Sequence, residues 1–396
     1  MSTTLILGGG FGGLACARAL RAKAPADHRI VLVDRAPLFF VGATKTWLAL
    51  GEKTAEEITR PRASLLPEGI ELVQADVTRI VAAAREAQTT AGTFRGDYLV
   101  IALGTEQEMG VVPGLAEAGQ SFYGFLDALQ LQATLNAFQG GRIVILIPRV
   151  PFPCPPGPYE GAMLLRDHVN RRGLGAATSI DVWTVEKSPM ATAGPEVGKA
   201  VVAMLEERGI GFHPLQRVVR VEPTRRTVRF EEGAEAAYDL LITVPPHRVP
   251  RVLVDSWLAQ ADGWIPVDPA TLAVKSPNAA THVYAIGDNN SVSLPGRWSP
   301  DMPLVLPKAG VMAAAEGEVV AANIAADLAG APGTASFDGK GHCFIEVGGG
   351  KAVRGDGDFF GVPHPAMSVR APDADQYRSK VEWIEACLTP PRATSR

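Results

Sequence analysis

The chain predicts an α/β fold of two tandem Rossmann-like units followed by a small α+β C-terminal domain. Three observations predict it. An apolar run breaks into a glycine-rich turn at Gly8 and resumes as a helical pattern, the same β/α alternation starts again near residue 142, and beyond Ala331 the composition changes to short β runs.

In order, TTLIL is a short strand, GGGFGG a turn, LACARALRAKA a helix with Leu and Ala at helical spacing, and RIVLVDR a second strand ending in an acid. DYLVIALGTE is a further strand that runs into a glycine. GRIVILIP opens the second unit as a buried-type strand, SIDVWTVEK follows as another, AVVAMLEERGI reads as an amphipathic helix and DLLITVPP closes the block. THVYAIGDN is a strand ending in Gly-Asp, and KAGVMAAAEGEVVAANIAADLAG behind it is a long Ala-rich helix. GHCFIEV and KAVRGDGDFFGV read as strands, and QYRSKVEWIEACL as a short last helix.

A chain of 396 residues has room for two or three domains, and 46% hydrophobic against 20% charged residues is a normal globular balance. A net charge of -4 without a long basic run excludes nucleic acid as a partner, since phosphate binding leaves a basic footprint. No apolar stretch is long enough to span a bilayer. The run Thr4 to Leu7 meets glycines at once, which reads as a strand and not a signal core. The expected location is cytoplasmic or peripheral to a membrane, or periplasmic where a leader has been removed. Cys16, Cys154, Cys343 and Cys387 are too few for a disulfide scaffold and lack zinc-like clustering, so no metal is expected and any disulfide would be catalytic.

Gly8, Gly10 and Gly13 form G-x-G-x-x-G between a strand and a helix, serving the tight turn, the approach to a pyrophosphate and the strand–helix contact. Asp34 ends the second strand 21 residues after Gly13, where a carboxylate holds ribose hydroxyls. YAIGDN, with Gly287 and Asp288 ahead of a long helix, resembles the second FAD motif of the two-dinucleotide-binding-domain flavoproteins, and DYLVIALG with Gly104 resembles their connecting strand. The resemblance implies FAD, with Asp288 on the ribitol chain. It also implies cofactor contacts from Phe11, Gly12, Arg35, Lys45, Val77, Ala102, Pro307 and Lys308. The implied division is 1–109 with 251–330 for FAD, 110–250 for the second unit and 331–396 for the C-terminal domain.

After GRIVILIP a nicotinamide-binding unit needs its own glycine-rich turn. The sequence has RVPFPCPPGPYEG instead, with five prolines from Pro148 to Pro156 that remove backbone donors. Electrons are therefore not expected from NAD(P)H. CPPGPYE is similar to the redox-cysteine segment in the flavoprotein subunit of flavocytochrome c sulfide dehydrogenase and in sulfide:quinone oxidoreductases; Cys343 in GHCFIEV matches the second redox cysteine, and PKAG at 307–310 also fits. The resemblance implies that Cys154 and Cys343 meet over one face of the flavin as a disulfide/persulfide relay, Cys343 nearer the flavin and Cys154 carrying the persulfide. By the same placement Glu160 is an acid/base in a dry apolar pocket with a raised pKa, or else only a carboxylate favoured at a helix start.

Two departures bear on this. LFFVGATKTW holds no cysteine, so FAD is expected to be non-covalent, and no third cysteine lies between Cys16 and Cys154. Cys16 reads as core and Cys387 as incidental. Lys308 is either a cation beside the flavin pyrimidine or a surface lysine. His342 is expected to point away from Cys343 by strand alternation. Phe359 and Phe360 line a quinone slot or belong to the core. QYRSKVEWIEACL caps the C-terminal domain or lies on a membrane surface. The small sulfur substrate leaves a quinone or a cytochrome c open as acceptor. An NAD(P)H-dependent flavoprotein reductase and a non-catalytic FAD-binding protein stand as the other readings.

Overall fold

Strands that are apolar on both faces need cover on both faces, and helices provide it. In a computed structural model of the chain, which describes residues 2–391, the first sheet is five-stranded and wholly parallel. Its order is Val283–Ala285, Tyr98–Ile101, Thr3–Leu7, Arg29–Asp34 and Ile70–Gln74. The edge strand Val283–Ala285 comes from far along the chain, carried by THVYAIGDN back beside DYLVIALG. On one face the first helix, Phe11–Lys23, packs against the Ala-rich helix Gly310–Leu328. The approach is close because it is made at glycine: a Cβ on Gly317 would lie 2.4 Å from the Gly12 carbonyl oxygen.

The second sheet, also parallel, runs Ile210–His213, Thr178–Thr184, Gly141–Ile147 and Leu240–Thr243. Helices Gly157–Arg171 and Pro195–Glu206 pack with it. Each parallel sheet is accompanied by a three-stranded antiparallel meander, Val77–Val81 with Glu86–Thr89 and Gly92–Arg95, and Val218–Glu222 with Thr227–Phe230 and Glu235–Ala237. The sequence reading missed both, because their short half-exposed strands carry little periodicity.

The C-terminal region forms an antiparallel sheet, Lys340–Gly348, Lys351–Asp358 and Ala366–Asp373, then a helix Ala374–Leu388 started by Asp373, whose side chain accepts from the Gln376 N–H. The third strand was unexpected. The helix does more than cap its own region. Ile384 and Leu388 enter the core that holds Leu5 and Cys16, and Trp383 stacks on Phe11 with ring centroids 5.9 Å apart. Ile345, Val347 and Val353 of the sheet enter the second unit's core. The C-terminal region thus spans both Rossmann-like units.

Candidate active site

At the glycine turn each position has a distinct steric environment. A Cβ on Gly8, at φ +101°, would lie 2.2 Å from the Ala102 carbonyl oxygen, and one on Gly13 would lie 1.8 Å from that of Gly8. At Gly10 a Cβ would meet nothing within 4 Å, so the start of the first helix opens onto free space where its unpaired N–H groups face a ligand. This cradle fits a pyrophosphate. Asp34 is the centre of a network: its carboxylate accepts from Gly9 N–H at 2.7 Å and Ala36 N–H at 2.8 Å and pairs with Arg62 at 3.1 Å. Arg62, which the sequence reading missed, is buried and also donates to the carbonyls of Gly9, Ala36 and Leu38. Phe11 and Gly12 open the helix, Ala102 N–H donates to Leu7, and Gly104 turns the chain at φ +64°. Arg35 is exposed and Val77 half-buried at the start of the first meander.

The Gly-Asp end of the returning strand faces Pro307 and Lys308. Gly287 adopts φ +74°, and its N–H donates to Glu316 of the Ala-rich helix. Lys308 is no surface lysine. It is buried, donates to the carbonyls of Asp288 at 2.8 Å and Asn290 at 3.0 Å, and sits 3.5 Å from the Trp264 ring centroid. Burial lowers Lys308 to about 8 and raises Glu316 to about 8, and it raises Asp288 as well, against the opposing pull of Lys308 and Lys45. Glu316 was also missed; on an Ala-rich helix a lone acid carries no sequence signal of its burial.

The proline-rich segment places Cys154 in the left-handed region, φ +57°, uncommon for a residue with a side chain. Its N–H donates to the Lys308 carbonyl at 2.8 Å, which joins this turn to the flavoprotein motif. The thiol borders Gly157, where a Cβ would lie 3.3 Å from Cys154 Sγ, 3.3 Å from Lys45 Nζ and 3.0 Å from the Tyr123 hydroxyl. Cys343 and the flanking Pro155 and Pro156 line one cleft of about 860 Å³. Both cysteines are free thiols. Burial pushes Cys343 well above the usual thiol range, and Cys154 and Glu160 nearby push it further. His342 shares a side of the strand with Phe344, ring centroids 5.4 Å apart, yet it also borders the cleft. Phe359 lines the cleft, whereas Phe360 packs edge-on to Phe337.

Glu160 departs from the expected apolar pocket. It is buried but tied: Lys380 of the last helix donates to it at 3.0 Å and to Glu346 at 2.8 Å, and the Glu346 N–H donates to Glu160 at 2.9 Å. Trp47 Nε1 donates to Glu346 at 2.8 Å. Two carboxylates around one ammonium replace the dry pocket, and neither Lys380 nor Glu346 carried a motif that pointed here. Glu186, also unforeseen, lines the cleft, where burial raises it to about 7 despite the hydroxyls of Tyr159 and Thr184. Cys16 is core, pushed up to about 12 by burial, and Cys387 packs half-buried against the same core. No group of three or more potential metal ligands occurs among the described residues.

Residues 2–146 match the family of pyridine nucleotide-disulphide oxidoreductases, and residues 128–245 match the central region of the flavoprotein chain of sulfide dehydrogenase [flavocytochrome c]. The chain is 25% identical over 299 residues to the mitochondrial sulfide:quinone oxidoreductase of Mus musculus, a match spanning 72% of this chain but only 64% of that protein. To the sulfide-quinone reductase of Aquifex aeolicus it is 26% identical over 336 residues, 83% of this chain and 77% of the relative. The solved structure of the Aquifex aeolicus sulfide:quinone oxidoreductase superposes with a TM-score of 0.85 at 24% identity, covering 98% of this chain and 90% of that one. The fold is shared throughout. The glycine cradle, the Gly287-Asp288 turn and the pyridine nucleotide-disulphide oxidoreductase match make FAD the cofactor, and the stretch 38–47 holds no cysteine to bind it covalently. The chain is thus similar over residues 2–146 to the pyridine nucleotide-disulphide oxidoreductases, over residues 128–245 to the flavoprotein chain of sulfide dehydrogenase [flavocytochrome c], and along most of its length to sulfide:quinone oxidoreductases.

Proposed function

We propose that this protein oxidises a small sulfur nucleophile, hydrosulfide foremost, through Cys154 and Cys343, and delivers the electrons by way of FAD to a quinone. The observation that carries this reading is the convergence on one cleft of Cys343 and the turn that holds Cys154, a turn itself hydrogen-bonded to Lys308. With the two sulfurs joined, hydrosulfide attacks one of them; the S–S bond between the cysteines breaks and a new one forms, leaving a persulfide on Cys154 and a thiolate at Cys343. A second hydrosulfide carries off the outer sulfur atom, and closing the cysteine pair again releases two electrons and a proton. FAD, when bound, accepts that electron pair and passes it on.

The chain's own residues support each part. Burial disfavours a Cys343 thiolate, so the charged sulfur is high in energy and quick to give up its electrons. Glu346, raised by burial beside Lys380, can hold a proton, and its N–H donates to Glu160, which acts on Cys343. Five prolines occupy the turn where a nicotinamide pyrophosphate would need backbone donors. For the acceptor, the cleft is walled by apolar groups such as Met312, Phe359 and Met367, and exposed Val150, Leu215, Met302 and Val305 stand on its lining. That suits a quinone better than a cytochrome surface. Among the described residues no helix is long and apolar enough to cross a membrane.

The test is anaerobic addition of sulfide and, separately, of NADH to the flavin-loaded protein. Bleaching by sulfide in the wild type, and its loss in Cys154→Ser and Cys343→Ser with flavin content intact, is the expected result. Bleaching by NADH alone, or full sulfide reactivity in either variant, refutes it. Faster reoxidation by a quinone analogue than by cytochrome c is expected.

A further inference from the structure

Glu186 is a carboxyl in the cleft wall that the sulfur relay leaves unused. It lies two residues past Thr178–Thr184, the second strand of its unit, much as Asp34 closes the second strand of the first. The two acids have opposite surroundings. Asp34 is paired with Arg62 and accepts two backbone N–H groups. Glu186 has no cation: the Tyr159 hydroxyl and, at 3.2 Å, the Thr184 hydroxyl donate to it, both at Oε2. Burial raises it to about 7 against these bonds and the Met190 N–H. Lys187 and Lys199 wall the same cleft, but neither is a partner of Glu186 among the described residues, and Lys199 pairs with Glu196.

The placement is beside the cysteines. Cys343 lines the same cleft, as do Pro155 and Pro156, which follow Cys154. Tyr159 stands in the first turn of the helix that begins directly after them. Burial pushes the Tyr123 phenol up, and Cys154 and Glu186 both push it further, so the sulfur and the carboxyl stand around one ring. Phe152, Met190, Leu304 and Leu306 give the cleft apolar walls, where an anion loses its hydration. Neutral hydrogen sulfide therefore enters more readily than hydrosulfide, yet the anion is the nucleophile, so a proton has to be removed inside. Glu160 is not part of the cleft wall and is tied to Lys380 and the Glu346 N–H.

We infer that Glu186 is the base that takes a proton from hydrogen sulfide inside the cleft and releases hydrosulfide to attack the cysteine pair. The substrate rests on the sulfur-oxidation reading above; the base rests on the placement of a cation-free carboxyl in the cleft wall. The S–H bond breaks, its electron pair stays on sulfur and the proton moves to the carboxylate, so the step needs no oxidant. Proton transfer is efficient when the base titrates near the working pH, as this one does. The proton then leaves by the cleft mouth before the next turnover.

The test is anaerobic stopped-flow reduction of the flavin-loaded protein by sulfide, with the second-order rate constant measured from about pH 6 to pH 9. The wild type shows a maximum near neutral pH, because Glu186 is protonated below it and hydrogen sulfide is depleted above it. In Glu186→Gln, with flavin content intact, the rate near pH 7 falls roughly a hundredfold. The maximum is lost, and the rate climbs with pH as hydrosulfide from bulk water becomes the only nucleophile. Tyr159→Phe removes a hydrogen bond that favours the charged carboxylate, so the acid limb moves to higher pH. A Glu186→Gln profile of the same shape as wild type, or an acid limb unmoved in Tyr159→Phe, overturns the base while the sulfur-oxidation reading stands. Wild-type flavin that sulfide leaves oxidised overturns both.

Discussion

Replacing Lys380 with methionine tests how the last helix is held to the rest of the protein. In the wild type its ammonium, 2% exposed, lies 3.0 Å from Glu160 and 2.8 Å from Glu346, with the Trp47 ring centroid 4.9 Å away. Methionine fills much of the volume but leaves two buried carboxylates facing each other without a cation. Breaking a buried pair from one side costs about 3–5 kcal/mol, which at a urea slope of roughly 3 kcal/mol per molar is a fall of about 1 M or more in midpoint. The sign with pH follows from the shifts. Lys380 is raised by its two carboxylates, so its contribution is complete below the ordinary lysine range and is lost only as pH climbs through a value above that range. Glu346 is already raised by burial, and losing Lys380 raises it further, so in the variant protonation relieves the repulsion as pH falls. The deficit is therefore largest at neutral pH and smaller near pH 5. Urea unfolding of both proteins at the two pH values, followed by tryptophan fluorescence, measures it. The double variant Lys380→Met with Glu346→Gln should recover part of the loss, since one of the stranded charges is then gone. A midpoint for Lys380→Met equal to wild type at pH 7 would show that the triad does not hold the helix, and would refute the reasoning.

Two further outcomes follow from the cofactor cradle. Gly10→Ala is expected to leave the apoprotein as stable as wild type, because its Cβ touches no protein atom, while flavin occupancy after purification drops; Gly8→Ala, whose Cβ would press on the Ala102 carbonyl, should lose the fold itself, and circular dichroism with flavin-to-protein ratios separates the two. In the apoprotein, Glu316→Gln should gain stability relative to wild type as pH rises. A carboxyl raised by burial to about 8 makes the folded state bind more protons than the unfolded chain, so wild-type stability falls across the window from the ordinary glutamate range up to about 8, whereas glutamine does not titrate. Urea midpoints at pH 5 and pH 8 check this, and a difference between the proteins that does not change with pH counts against it.

How much was legible depended on whether the signal was local. Glycines with steric duties, an acid closing a strand, Gly287-Asp288 before a helix and prolines where a second glycine turn belongs are all patterns within a few residues. They were enough for two Rossmann-like units, FAD and the cysteine-bearing turn. The meanders were not, because strands of three to five residues lack a readable period. Lys308 shows the boundary well: its place before the Ala-rich helix was visible, but its burial over Trp264 was not, since that depends on a residue over forty positions away.

By itself the sequence determined which residue types stand at each turn, and so the class of fold and cofactor, because backbone conformation and phosphate approach are decided by near neighbours. Only the tertiary structure decided what those residues face. It brought Lys380 from the last helix between Glu160 and Glu346, set Arg62 on Asp34, and laid Lys45 over the Tyr123 ring beside Cys154. The physical reason is that charge in a buried site is settled by distance in space, where a few ångströms determine whether an ammonium meets the carboxylates that neutralise it.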